Sequence, residues 1–210
     1  MARFDYHARR AGKRPRADEG EDDEYDFEHA FEPTMVRRNG NKIYFYSDVS
    51  IKSALEFNTV LDDAVTESLT TAAKTGGDPQ PIWVYIHSYG GDVYAGISMM
   101  DSIRTARVPV KTVVDGFCAS AATFVLMGST ERYMRRHANV LIHQIRTSFW
   151  GRYDDLLDEV SNSKQLMALL KRIYSEDTKI TRSKLETLMS KELYMDAEEC
   201  KRYDLVRYIL

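Results

Sequence analysis

Cysteine is nearly missing from this 210-residue chain, which carries only Cys118 and Cys200. Two thiols make neither a disulfide framework nor a zinc site, so the fold must rest on an apolar core. Long apolar runs are missing too. None approaches the roughly 20 residues that a membrane-spanning helix needs, and the charged N-terminus lacks the apolar stretch of a secretory signal. The expected setting is reducing and cytoplasmic, without membrane contact. Neither sign of charge dominates. Lys and Arg number 29 against 32 Asp and Glu, so no overall field draws the chain to nucleic acid. What is present, 43% hydrophobic and 29% charged residues, suffices for one sizeable core in one domain.

Residues 1–33 differ from the rest. Arg9, Arg10, Lys13, Arg14 and Arg16 form a basic cluster, followed by an acidic run from Glu19 through Glu24, then Asp26 and Glu28. Without apolar periodicity such a segment buries too little surface to offset its ordering entropy, so it is expected to be disordered or processed. Opposite charges side by side argue against a simple DNA-binding arm. The folded domain is expected over 34–210, with regular structure from about Asn41.

There the pattern alternates. Lys42–Tyr46 reads as a strand rich in residues that fit a pleated surface. Val49 to about Ala73 reads as a helix with Ile51, Leu55, Val60, Leu61, Val65 and Leu69 near one face. Ile82–Ile86 is apolar on both faces, as parallel strands covered by helices are. A helix over Val93–Thr105, a strand over Val108–Val114, a small-residue helix over Ala119–Met127 and short strands at 132–134 and 140–142 follow. This strand–turn–helix rhythm predicts βαβ units in a layered α/β domain. After Gly151 the chain is mainly helical, with further helices near 183–190 and 197–203 and a last strand over 205–209.

Three segments can carry chemistry together. Between a strand and a helix, Ser88-Tyr89-Gly90-Gly91 forms a turn whose amides can meet an anion or oxyanion, although Gly-Gly is also an ordinary turn. Ser120 sits among small residues at the mouth of a helix, where free amides and a partial positive charge collect. It also suits a plain N-cap. Cys118 is the rival nucleophile, ranked lower as a packed residue. His143 closes a buried strand and has the pKa to activate a serine. His87 and His137 are its rivals.

Ser-x-Gly-Gly after a strand, Gly116-x-x-Ala119-Ser120 before a small-residue helix, Ile142-His143-Gln144 after a strand, and Met195-Asp196-Ala197-Glu198-Glu199-Cys200 with Tyr203-Asp204-Leu205-Val206 follow one another in order. Over 41–210 the chain resembles the proteolytic subunit of the ATP-dependent Clp protease. The resemblance implies an α/β fold, a crotonase-like spiral of βαβ units with a projecting helical handle after about Gly151. It implies heptameric rings stacked into a tetradecamer around a chamber where unfolded proteins or peptides are cleaved, and a Clp ATPase as unfoldase. By the same resemblance Ser120 attacks the peptide carbonyl, His143 takes its proton, the backbone amides of Gly91 and Ala121 hold the oxyanion, and neither a metal nor another cofactor is required.

Counting back from Ala197 puts Glu192 at the family's triad aspartate, and glutamate serves that role in other serine hydrolases. Asp196 is the rival acid, better suited to cap the next helix. Trp83 and Tyr85 match aromatic positions of the ATPase-docking pocket, and Asp155 with Lys191 matches an acid–base pair across the ring interface, with lysine replacing arginine. The chain departs from the family at His87 (usually asparagine), Tyr89 (usually proline) and Thr105 (commonly aromatic). It departs again at Ile145-Arg146-Thr147-Ser148, where a proline and a glycine pair are usual. The competing readings are a non-catalytic ring subunit, a crotonase-type acyl-CoA enzyme and a serine–lysine signal-peptide peptidase.

Overall fold

Residues 35–210 are described by the computed structural model of this chain; the expectation for residues 1–33 lies outside them. A hairpin that the sequence pattern did not announce opens the fold, with Val36–Asn39 (β1) antiparallel to Lys42–Phe45 (β2). β1 alternates in burial and is charged on its outer face, which hides it from a reading that looks for apolar runs.

From β2 the chain crosses the sheet repeatedly. Ile51–Thr75 (α1) leads to Ile82–Ser88 (β3), Val93–Arg104 (α2) to Val110–Ala119 (β4), and Ala122–Met127 (α3) to Glu131–Met134 (β5). The strands run in the order β1-β2-β3-β4-β5-β8, parallel from β2 onward, where β8 is Tyr208–Ile209. The expected final strand over 205–209 is thus cut to two residues. Leu205 and Val206 are buried instead, with their amides donating to Cys200 O in a turn.

α1 shows how local chemistry sets an element. Ser50 caps it, its hydroxyl accepting from the Ser53 amide at 3.1 Å while Ser53 Oγ accepts from the Ser50 amide. Such caps satisfy helix amides that lack intrahelical partners. Gly76 ends it in the left-handed conformation. The buried face is Ala54, Phe57, Leu61, Ala64 and Val65, with Phe57 edge-on to Phe45 at 5.9 Å. The expected face is rotated, because Ile51 (80% exposed) and Leu55 (70%) point to solvent. The small alanines let the helix lie close to the sheet, a choice that an apolar count cannot see.

β4 is the element that builds the site. It was expected to stop at Val114, with a helix from Ala119. It continues instead to Ala119 and changes partner, pairing with β5 over 111–114 and with Asn139–Leu141 (β6) over 117–119. The helix starts only at Ala122. β6 is also paired antiparallel with Tyr194–Met195 (β7), so a strand from near the C-terminus lies beside the one that ends before His143.

Beyond an irregular stretch, Tyr153–Asp177 (α4) is the handle helix. Only Leu170, Ile173 and Tyr174, near its C-terminal end, are buried. Arg182–Lys191 (α5) and Ala197–Arg202 (α6) complete the chain. Among the described residues no helix is long and apolar enough to cross a membrane.

Candidate active site

Ser120 stands one residue beyond β4 with φ +54°, a left-handed conformation that side chains other than glycine's seldom take. The strain is about 1–2 kcal/mol and is held from both sides. The Ser120 amide donates to Leu141 O on β6 at 2.9 Å, and the Ser120 carbonyl accepts from the Thr123 amide at 3.0 Å. Held strain of this kind clusters at functional sites, where it aims a side chain. Here it turns the serine out of the strand. Among the described residues Ser120 Oγ makes no hydrogen bond, so capping does not explain the residue.

A second support comes from the handle. Thr123 Oγ1 donates to Ser120 O at 2.6 Å, which uses its single proton, so the Tyr174 hydroxyl 2.5 Å away donates to Thr123. Burial pushes the Tyr174 phenol well up, which keeps it a donor at neutral pH. Tyr174→Phe is expected to cost about 1 kcal/mol of unfolding free energy. Denaturant unfolding measures it.

Gly90 and Gly91 follow β3. Gly90 O accepts from Val49 N at 2.8 Å and Val49 O accepts from Asp92 N at 2.7 Å, leaving the Gly91 N–H outside this bridge. Gly91 has φ +142°, and a Cβ there would lie 2.2 Å from Val49 O; only glycine fits. Gly90 N donates to buried Ser88 Oγ at 3.1 Å. The departures Tyr89 and His87 do not disrupt the turn. Tyr89 leans on Phe117 at 5.2 Å, and His87 Nδ1 lies 2.9 Å from Asp115 O.

His143, two residues past β6, and Ser120 line one cleft of about 200 Å³ with Gly91, Ala121, Arg146 and Tyr174. These six residues come from four segments far apart in sequence, and β4's switch from β5 to β6 is what brings Ser120 beside the segment of His143. His143 Nδ1 lies 2.6 Å from Gln144 O, so the imidazole donates there through Nδ1–H and keeps Nε2 as an acceptor. Among the described residues no hydrogen bond joins Ser120 to His143 or His143 to Glu192. Glu192 is the left-handed cap of α5, and its carboxylate is ion-paired with the Arg146 guanidinium. Sequence reasoning flagged Arg146 only as a departure; its position three residues after the histidine was the available signal.

The remaining candidates lie elsewhere. Asp196 caps α6, accepting from Glu199 N at 2.8 Å. Cys118 is fully buried, and burial pushes its thiol far up, away from nucleophilic use. His137 is exposed on a turn. Trp83 and Tyr85 are half-buried on one sheet face, Trp83 against Tyr133 at 5.1 Å and Tyr85 stacked on Tyr44 at 5.1 Å. Asp155 meets Arg152 of its own helical turn at 3.0 Å, and Lys191 ends α5 in solvent. Among the described residues no cluster of His, Cys, Asp or Glu could hold a metal. A larger groove of about 770 Å³ follows α4 past Ile145, Leu156 and Val160. It holds neither Ser120 nor His143.

Comparison with known proteins agrees with this architecture. The family profile described as Clp protease matches residues 40–210. An ATP-dependent Clp protease proteolytic subunit of Mesostigma viride is 30% identical over 155 residues, covering 71% of this chain and 68% of the relative. One of Pleurastrum terricola is 30% identical over 149 residues, covering 69% and 76%. Among solved structures, ClpP1 from Listeria monocytogenes superposes with a TM-score of 0.67 at 20% identity, over 81% of this chain and 91% of that one. A mutant of the same protein gives 0.69 at 21% identity, over the same shares. The fold is therefore the crotonase-like one that the resemblance implied.

Proposed function

The chain belongs to the Clp protease family, and from that premise we propose that it is a serine endopeptidase with Ser120 as nucleophile and His143 as general base. One observation carries the reading: Ser120, in a strained left-handed turn and without a hydrogen-bond partner among the described residues, shares its cleft with His143 and the Gly91 turn.

The steps follow from these groups. His143 Nε2 takes the Ser120 hydroxyl proton as Oγ bonds to the peptide carbonyl carbon. The carbonyl oxygen becomes an oxyanion facing the amides of Gly91 and Ala121, donors fixed before the charge develops. The intermediate collapses, the C–N bond breaks, and the imidazolium returns its proton to the departing amine. Water then repeats the sequence on the acyl-enzyme, releasing the acid and restoring Ser120. Glu192 is the proposed carboxylate that orients His143 when it faces the imidazole.

The subunit is proposed to work in heptameric rings stacked in pairs. Supporting this, Phe149, Trp150, Tyr153, Leu156, Leu157 and Val160 leave the start of the handle apolar and at least 42% exposed, more than a lone subunit ordinarily shows. Asp155 and Lys191 are proposed contacts between rings. Unfolded substrates are proposed to arrive from a Clp ATPase docking at the aromatic face of Trp83 and Tyr85.

A second reading, a ring subunit without activity, is favoured by Glu192 resting on Arg146 and His143 on Gln144 O. A fluorophosphonate probe separates the two. The assembled wild type is expected to be labelled at Ser120, located by peptide mass spectrometry. An assembled protein that resists the probe would sink the enzymatic reading.

A further inference from the structure

Among the described residues no hydrogen bond joins Glu192 to His143, and the cation that Glu192 meets instead is specific. Arg146 is three residues past His143, lines the same cleft as Ser120, and binds Glu192. Its partner sits at φ +51°, with the backbone turned left-handed to end α5. Among the described residues the Glu192 carboxylate is held by the Arg146 guanidinium, where the proposed triad would have it accept from the His143 imidazole. While it rests on Arg146, the His143 Nδ1–H is satisfied by Gln144 O at 2.6 Å. A carbonyl fixes the tautomer but lacks the negative charge that stabilises an imidazolium.

We infer that Arg146 is a positioning residue that holds Glu192 off His143 and so restrains the hydrolytic site. The inference rests on the peptidase reading above and concerns the regulation of that same site. The arginine–carboxylate contact is charge-assisted, which makes it the preferred resting partner. Both side chains are partly exposed, 56% for Arg146 and 35% for Glu192, so water weakens the pair and leaves it reversible. Releasing Glu192 replaces a neutral acceptor at His143 with a charged one. That change lowers the barrier to proton transfer without altering how the peptide binds, so it acts on kcat rather than KM.

The test is a double-mutant cycle on the full, assembled chain, using a fluorogenic peptide and fluorophosphonate labelling of Ser120. Arg146→Ala is expected to raise kcat and the labelling rate about three- to tenfold, on the view that one orienting charge is gained, with KM changing less than about twofold. Arg146→Lys, which keeps the charge, is expected to stay near wild type. Adding Glu192→Gln to Arg146→Ala is expected to remove the gain. A fall or no change in kcat on Arg146→Ala, or a gain that survives in the double variant, overturns the inference while labelling at Ser120 leaves the peptidase reading standing. Absence of labelling in every assembled variant overturns both.

Discussion

Ser120→Ala is expected to abolish capture by a fluorophosphonate and to cut peptide hydrolysis by about 10⁴- to 10⁶-fold, the scale seen when a triad nucleophile is removed. The same substitution is expected to leave the unfolding midpoint nearly unchanged. The reason lies in the local structure. Ser120 Oγ has no hydrogen-bond partner among the described residues, so deleting it forfeits none. The left-handed backbone at φ +54° already accommodates a Cβ, so alanine adds no new strain. The two bonds that hold the turn, to Leu141 O and from the Thr123 amide, are made by the backbone and survive. Differential scanning calorimetry beside peptide kinetics checks the pair of outcomes. Loss of stability in step with activity would mean that the serine is a structural cap. Unimpaired hydrolysis would move the chemistry elsewhere in the molecule.

The second large effect is at Gly91. Gly91→Ala places a Cβ 2.2 Å from Val49 O and 3.1 Å from Val49 C, both backbone atoms that cannot turn aside as a side-chain tip can. The bridge to Val49 must open, which endangers two hydrogen bonds of about 1 kcal/mol each and adds backbone strain of about 1–3 kcal/mol. A destabilisation of about 3–5 kcal/mol follows from these terms. Displacing the proposed Gly91 oxyanion donor is further expected to lower kcat by about 10²- to 10³-fold in molecules that still fold. Gly76→Ala is the control. Gly76 also has positive φ, +71°, but a Cβ there meets nothing within 4 Å. Its cost is the conformational part alone, about 1–2 kcal/mol, with no effect on hydrolysis. Equal losses at the two positions would remove the steric argument for Gly91.

The proposed function rests on the pairing of a strained backbone with a serine hydroxyl that makes no hydrogen bond among the described residues, not on cavity size. The larger groove along α4 holds neither Ser120 nor His143, whereas the smaller cleft gathers Ser120, His143 and the residues Gly91 and Ala121. The Tyr174–Thr123 pair also ties the handle to the Ser120 carbonyl through two hydroxyls. A change in the handle is therefore positioned to be felt at the serine.

Much of this was legible from residue order alone, wherever the cause is local. The strand–turn–helix alternation, the glycine pair before α2, the serine at the mouth of a small-residue helix, the histidine after a buried strand and the Asp196 cap all depend on neighbours within a turn or two. Steric limits on φ and ψ, side-chain period and capping act over that range. The tertiary structure decided what depends on distant partners. β1 forms because β2 offers it an edge. β4 runs on to Ala119 because β6 takes over its pairing where β5 leaves off. α1 buries Phe57 and exposes Ile51 because the sheet beneath selects the face. Glu192 meets Arg146, 46 positions away, because α5 ends in a left-handed turn beside the irregular stretch after His143. Residue identity at 192 established that a carboxylate is present. Only the packing of segments remote in sequence could decide which cation it faces.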